Sequence, residues 1–144
     1  MIVRCTTNSF AELPESYIDP AANMGRDATS RALVAGQEYV VYAISVADGR
    51  VEYYVHEDDE IPYPYAEPAP MFEVVDATPS SYWRVGFDAK RNRLTFAFDE
   101  WFSMPNFYDR LTDWEEHEGE VWKAVKARLD AEALGDAPTD DQTE

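Results

Sequence analysis

The 144-residue chain carries 29 acidic residues against 12 basic ones, a formal charge of −17 with both histidines neutral. That length suits one domain, and a hydrophobic share of 45% with 14% aromatics can build a core, which excludes wholesale disorder. The excess of carboxylates argues against sequence-independent binding to nucleic-acid phosphates, which Lys and Arg drive, and against anionic membrane surfaces.

Residues 2–6 read as a short strand, with no apolar run before them long enough for a signal peptide, so the expected compartment is the cytoplasm. A mostly irregular segment with Pro14, Pro20 and Gly25 follows to about residue 30, holding one helical turn near Phe10 to Leu13. From Gln37 the pattern sharpens into one long strand, Val40, Tyr42, Ile44 and Val46 on one face and Tyr39, Val41 and Ala43 on the other. Asp48-Gly49 accepts positive φ at both central positions of a type I′ turn, and Val51, Tyr53 and Val55 alternate after it, which predicts a hairpin. Residues 57–70 open with Glu57-Asp58-Asp59-Glu60 and go on to Pro62, Pro64, Pro68 and Pro70, which predict a stiff loop. Strands are expected at 71–75, 82–87 and 94–98. Asp99 is placed to cap a helix, Pro105 permits a restart, and Asp113 is placed to cap a longer helix with a stripe of Trp114, Val121, Val125 and Leu129. The fold expected is α+β: a strongly bent antiparallel sheet or small SH3-like barrel with C-terminal helices. One domain should span residues 1–134, with a disordered acidic tail over 135–144.

The residues of familiar chemistries are not arranged for them. Cys5 is the only cysteine, which excludes an intramolecular disulfide and a cysteine-built zinc site, and His56 and His117 lack ligand spacing. The six glycines form no phosphate-cradling loop, and no serine lies in a nucleophile elbow. The 57–60 run lacks the alternation and glycine of a calcium loop and reads as a solvated turn. A general base made of His56 with Glu57 or Asp58 can be drawn, as can a Cys5–His56 pair if the first strand lies beside the second hairpin strand; a surface histidine and an inert buried cysteine are the plainer readings. No cofactor or metal is expected.

Charge and aromatics are more informative. Between Asp109 and Glu144 stand 12 acidic residues and 4 basic ones, so a quarter of the chain carries nearly half of the charge excess. Two concentrations stand out: Glu57, Asp58, Asp59 and Glu60 beside Tyr63 and Tyr65, and Asp113, Glu115 and Glu116 near Trp101, Tyr108 and Trp114. Carboxylates around rigid aromatic anchors suit a binder of a basic protein surface, charge speeding encounter and rings holding the complex. The alternative is that the charge serves solubility and the rings the core, a reading that weighs most for Trp101 and Trp114.

Leu33-x-x-Gly36-x-Glu38-Tyr39-Val40-Val41-Tyr42-Ala43-Ile44, Tyr53-Tyr54-Val55 with the acidic loop, Pro68-Ala69-Pro70-Met71-Phe72-Glu73-Val74-Val75-Asp76 and Tyr82-Trp83-Arg84-Val85-Gly86-Phe87 together resemble small acidic immunity-type proteins of bacterial toxin systems. The resemblance is one of layout and covers roughly residues 2–130. The opening run is also similar to the first strands of SH3-like barrels, but the helical C-terminal part departs from them, and no peptide-binding residue is carried over. The resemblance implies a basic toxin or nuclease as partner, and the net charge argues against direct contact with nucleic acid or membrane. The expected function is therefore non-enzymatic neutralisation of that partner through Glu57, Asp58, Asp59, Glu60, Tyr63, Tyr65, Asp113, Glu115 and Glu116. Three alternatives stay open: a nucleic-acid mimic that inhibits a DNA- or RNA-binding protein, for example phage-encoded; a small enzyme using His56 with Glu57 or Asp58; and a module whose 62–70 loop is another domain's ligand.

Overall fold

The computed structural model describes residues 1–17 and 32–135. The expected irregular segment therefore lies in part, and the expected acidic tail beyond Gly135 wholly, outside the described residues. In chain order the strands are β1 (Ile2–Cys5), β2 (Glu38–Val40), β3 (Ala43–Ala47), β4 (Arg50–Val55), β5 (Tyr65–Pro68), β6 (Phe72–Asp76), β7 (Trp83–Asp88) and β8 (Arg93–Phe98), followed by helices α1 (Asp99–Ser103), α2 (Phe107–Thr112) and α3 (Glu116–Ala133). The strands make two antiparallel sheets, ordered β2-β1-β6 and β5-β4-β3-β8-β7. The class is α+β, as expected. Among the described residues no ladder joins the sheets into a closed barrel. No described helix is long and apolar enough to cross a membrane.

The long strand expected from Gln37 is two strands in different sheets. At Val41 and Tyr42 the chain changes partners: the Val41 N–H donates to the Met1 carbonyl at 3.1 Å and the Tyr42 N–H to that of Tyr54 at 2.9 Å. Both residues are buried, Val41 with Val3 and Met71 and Tyr42 with Phe98 and Trp122, so the apolar alternation runs through the crossover without a break. The hairpin that follows has the expected turn, with φ of 52° at Asp48 and 76° at Gly49, and it sets the register Ala47 to Arg50. The expected proline loop contains a strand. β5 pairs Pro68 with Glu52 at the edge of the larger sheet, where a residue without an N–H removes no bond that a further strand would need.

The helix starts also differ from expectation. Asp99 lies in the first turn of α1, after Phe98 at the cap position, and Asp113 closes α2, accepting no bond from α3. The buried stripe of α3 is Glu118, Trp122, Val125 and Leu129, with spacings of four, three and four. Trp114 precedes the helix and is excluded from that stripe.

The sheets pack on each other around Val3, Cys5, Tyr39, Val41 and Met71, with Ile44, Tyr53 and Trp83 of the larger sheet against them. α2 and α3 close the second cluster, where the Trp122 indole meets Tyr42 edge-on at 5.0 Å and Phe98 at 6.1 Å. Polar pairs pin α3 in place. The Tyr42 hydroxyl donates to Asp130 at 2.6 Å, Ser80 donates to Glu132 at 2.6 Å, and the Arg128 guanidinium lies 4.8 Å over the Tyr82 ring while reaching Glu100. Burial pushes the Glu132 carboxyl up, but its bonds from Ser80 and Ser81 outweigh this and hold it below the ordinary range. Truncating Trp122 leaves a cavity where helix and sheet meet. Trp122→Ala should lower the unfolding free energy by about 3–5 kcal/mol, read as a fall in the urea midpoint.

Candidate functional site

The acidic loop and the α2–α3 junction, about fifty residues apart in sequence, come together around two rings. Asp58 caps its own turn, its side chain accepting the Glu60 N–H at 2.9 Å and its carbonyl the Ile61 N–H at 3.0 Å. This turn leads into Tyr63, whose ring lies 5.6 Å from Tyr65 and meets Trp114 edge-on at 6.2 Å. The loop is anchored by the Tyr108 hydroxyl, which donates to the Pro64 carbonyl at 2.7 Å. Burial pushes the Tyr108 phenol far above its ordinary range, so it remains a donor at any physiological pH.

The nine residues expected to form an interface fall into two groups. Asp58, Asp59, Glu60, Asp113, Glu115 and Glu116 are exposed, and Tyr63 and Tyr65 are half-buried with their rings at the junction. Glu57 is half-buried and lies within Coulombic reach of Cys5, Tyr39 and Tyr65, which places it toward the sheet core as well as the loop. A shallow hollow of about 140 Å³ opens between Pro62, Leu111 and Trp114 on one side and Glu115, Glu116 and Lys123 on the other. Around it, Arg110 reaches Glu115 at 3.7 Å and Glu118 at 3.0 Å, tying α2 to α3 behind the rim.

The residue that sequence reasoning placed in the core is Trp114. It stands 61% exposed with φ of 64°. The backbone explains the geometry: the Glu115 N–H donates to the Arg110 carbonyl and the Trp114 N–H to that of Leu111, the two bonds of a Schellman motif. Trp114 thus occupies the left-handed position that Gly or Asn normally takes, at a cost of about 1–2 kcal/mol for an L residue. The signal in the sequence was the absence of any glycine between Leu111 and Glu118 where one helix had to end and another begin.

The alternatives built on His56 and Cys5 find other geometry. β1 pairs with β2 and β6, not with β4, and the Cys5 thiol is fully buried and donates to the Thr7 carbonyl at 3.3 Å. Burial pushes that thiol up, away from the reactive thiolate. His56 stacks on Trp122, ring centroids 6.3 Å apart and planes 13° from parallel, and its Nδ1 is buried without a hydrogen-bond partner among the described residues. Trp101, in turn, is a core residue: it stacks on Tyr108 at 5.1 Å and meets Tyr54 and Phe98 edge-on. Among the described residues no group of three His, Cys, Asp or Glu side chains is placed to hold a metal ion.

Burial, and then the nearby Lys126 ammonium, push the His56 pKa below its ordinary value of 6.5, against the opposing pull of Asp59 and Asp130. The unfolded chain then binds more protons than the folded one between the two values, so the stability from neutral His56 is complete above pH 6.5 and is lost as pH falls. Asp76, Glu118 and Glu132, all held low, lose their contributions only nearer their ordinary values of 3.8 to 4.5. The melting temperature should accordingly drop between about pH 7.5 and about pH 5.5, and His56→Gln should flatten that slope.

No family model, curated protein or solved structure matches the chain.

Proposed function

We propose that the chain is a non-enzymatic binding protein that neutralises a basic protein partner, as an immunity-type protein masks a toxin. The observation that carries the reading is Trp114. A large apolar ring held exposed, on a left-handed backbone that glycine would occupy without strain, is explained by contact with something outside the chain. Asp113, Glu115 and Glu116 flank it in sequence, and the exposed Asp58, Asp59 and Glu60 lie on the turn before Tyr63, whose ring meets it, which supports a partner of positive charge steered to the ring. Tyr63 and Tyr65 supply further rigid contact area at low cost in side-chain entropy. The net charge of −17 acts at long range and the rings at short range. The SH3-like layout belongs to the same proposal, supported by the antiparallel run β5-β4-β3-β8-β7.

The test uses tagged protein to retain partners from the cells that produce it, at low and at high salt, with two variants alongside. The charge-reversed variant Asp58→Lys, Asp59→Lys, Glu115→Lys, Glu116→Lys should bind the isolated basic partner about ten- to a thousandfold more slowly at low salt, the difference shrinking as salt is raised. Trp114→Gly should keep or raise the melting temperature by relieving the backbone, while weakening binding by about 2 kcal/mol or more. Retention of the same partner, with unchanged rates, by both variants would show that this face is not the interface.

A further inference from the structure

Strand alternation gives the larger sheet two faces. On the face toward α1 and α2, the first row of side chains, with Ala43, Tyr54 and Ala97, is roofed by Trp101 and Tyr108. The next row runs Gly86, Thr95, Ser45, Glu52 across four strands, and Arg93 follows beyond Thr95 on β8. Phe102 covers the Gly86 end of the first of these rows. Between them and the helices opens a cleft of about 620 Å³, continuous with a hollow of about 320 Å³ that shares Arg93, Thr95, Trp101 and Phe102. Its size falls in the range of small-molecule sites. It has no residue in common with the hollow beside Trp114.

The floor of this cleft is built in an unusual way for a sheet surface under a helix. Thr95, which lines both hollows, is polar, buried and small, and Ser45, its cross-strand neighbour, lies buried behind that lining. Gly86 lets Phe102 form a wall: a Cβ there would stand 2.3 Å from the ring, so the ring lies directly on the strand backbone. Arg93 is half-buried, and its Nη1 donates to the Ser45 hydroxyl at 2.6 Å. That hydroxyl is neutral. In a chain with 29 carboxylates, Arg93 has none of them within ion-pair distance among the described residues. Its neighbour Arg91 is occupied by Asp88 at 3.5 Å. The other charged side chains that line the two hollows are Glu52 and Asp109, neither of them within ion-pair distance of Arg93, and Asp88, which Arg91 holds.

A guanidinium oriented by a serine, with donors left over and stacked rings beside it, suits a carboxylate attached to an aromatic body. We propose that this cleft is a second binding site, in which Arg93 receives the carboxylate of an aromatic acid, either a free aromatic amino-acid derivative or the C-terminal residue of a peptide. The ring of the ligand lies against Trp101 and Phe102, and Thr95 bounds the carboxylate from below. This site is independent of the acidic face and of the reading that rests on it.

The experiment titrates the full chain with N-acetyltryptophan, with N-acetyltryptophanamide, and with a tripeptide ending in tryptophan with a free carboxylate, following backbone amide resonances by NMR. A carboxylate probe should produce saturable shifts at Ser45, Gly86 and Thr95, and the amide should bind about tenfold more weakly, the worth of a hydrogen bond to a charged group. Saturation by both carboxylate probes identifies a small-acid pocket, and saturation by the tripeptide alone identifies a reader of peptide termini. Arg93→Met should erase the preference for carboxylate over amide. Because the comparison of acid with amide is made on the unmodified chain, it stands whether or not that variant folds. Equal binding of acid and amide, or no saturable shift at these residues with any probe, would overturn the proposal.

Discussion

The contact between Trp122 and Tyr42 holds the molecule together. Tyr42 is the residue at which the chain leaves the smaller sheet for the larger one, and its carbonyl accepts the Trp83 indole N–H at 3.0 Å. Trp122 covers its ring edge-on, touches Phe98 where the last strand becomes α1, and stacks on His56 where β4 ends. Three changes of direction in the chain therefore meet one side chain. The Tyr42 hydroxyl adds a bond to Asp130 about two turns further along α3, and Lys126 neutralises that carboxylate at 2.8 Å. Burial, first, and the Asp130 carboxylate, second, push the Tyr42 phenol far above its ordinary range, so the donor in this bond is permanent.

The acidity of the chain follows a division of labour. Several of the few cations are spent inside the fold, Arg128 between Glu100 and Tyr82, Lys126 on Asp130, and Arg110 on Glu118 behind the α2–α3 turn. Burial would raise the Glu118 carboxyl, but the Arg110 bond outweighs it and holds the group ionised. Asp58, Asp59, Glu60, Asp113, Glu115 and Glu116 are exposed on the turn before Tyr63 and at the α2–α3 junction. A molecule with exposed carboxylates and an exposed indole on one face, and a polar cleft holding Arg93 beside α1 and α2, has two chemically distinct surfaces, and each suits a different kind of ligand.

Both surfaces depend on positions where backbone and side chain conflict or are unusually permissive. Trp114 occupies a glycine position with a bulky residue, while Gly86 leaves a strand position empty so that Phe102 can fill it. In each case local preference yields to the placement of a ring. Departures of this kind concentrate where a surface has work to do besides folding.

Local chemistry was enough to specify the pieces. Asp48-Gly49 dictated its turn because few other dipeptides accept positive φ twice, and the alternation after it dictated β4. β7 and β8 were legible for the same reason, and so were the α+β class and the two acidic concentrations. Partnership was not legible. A run apolar on both faces cannot tell one covered strand from two strands that exchange sheets at Val41 and Tyr42, and Pro68 could join β5 only because an edge was there to receive it. Trp114 and Trp122 are both compatible with an apolar helical stripe, and the choice between them fell to where the Schellman turn ended α2. The cleft above Thr95 had no local signature at all, because its residues come from three strands and two helices. Dihedral preferences act over a few neighbouring residues, whereas burial and register are settled by which segments meet across the whole chain.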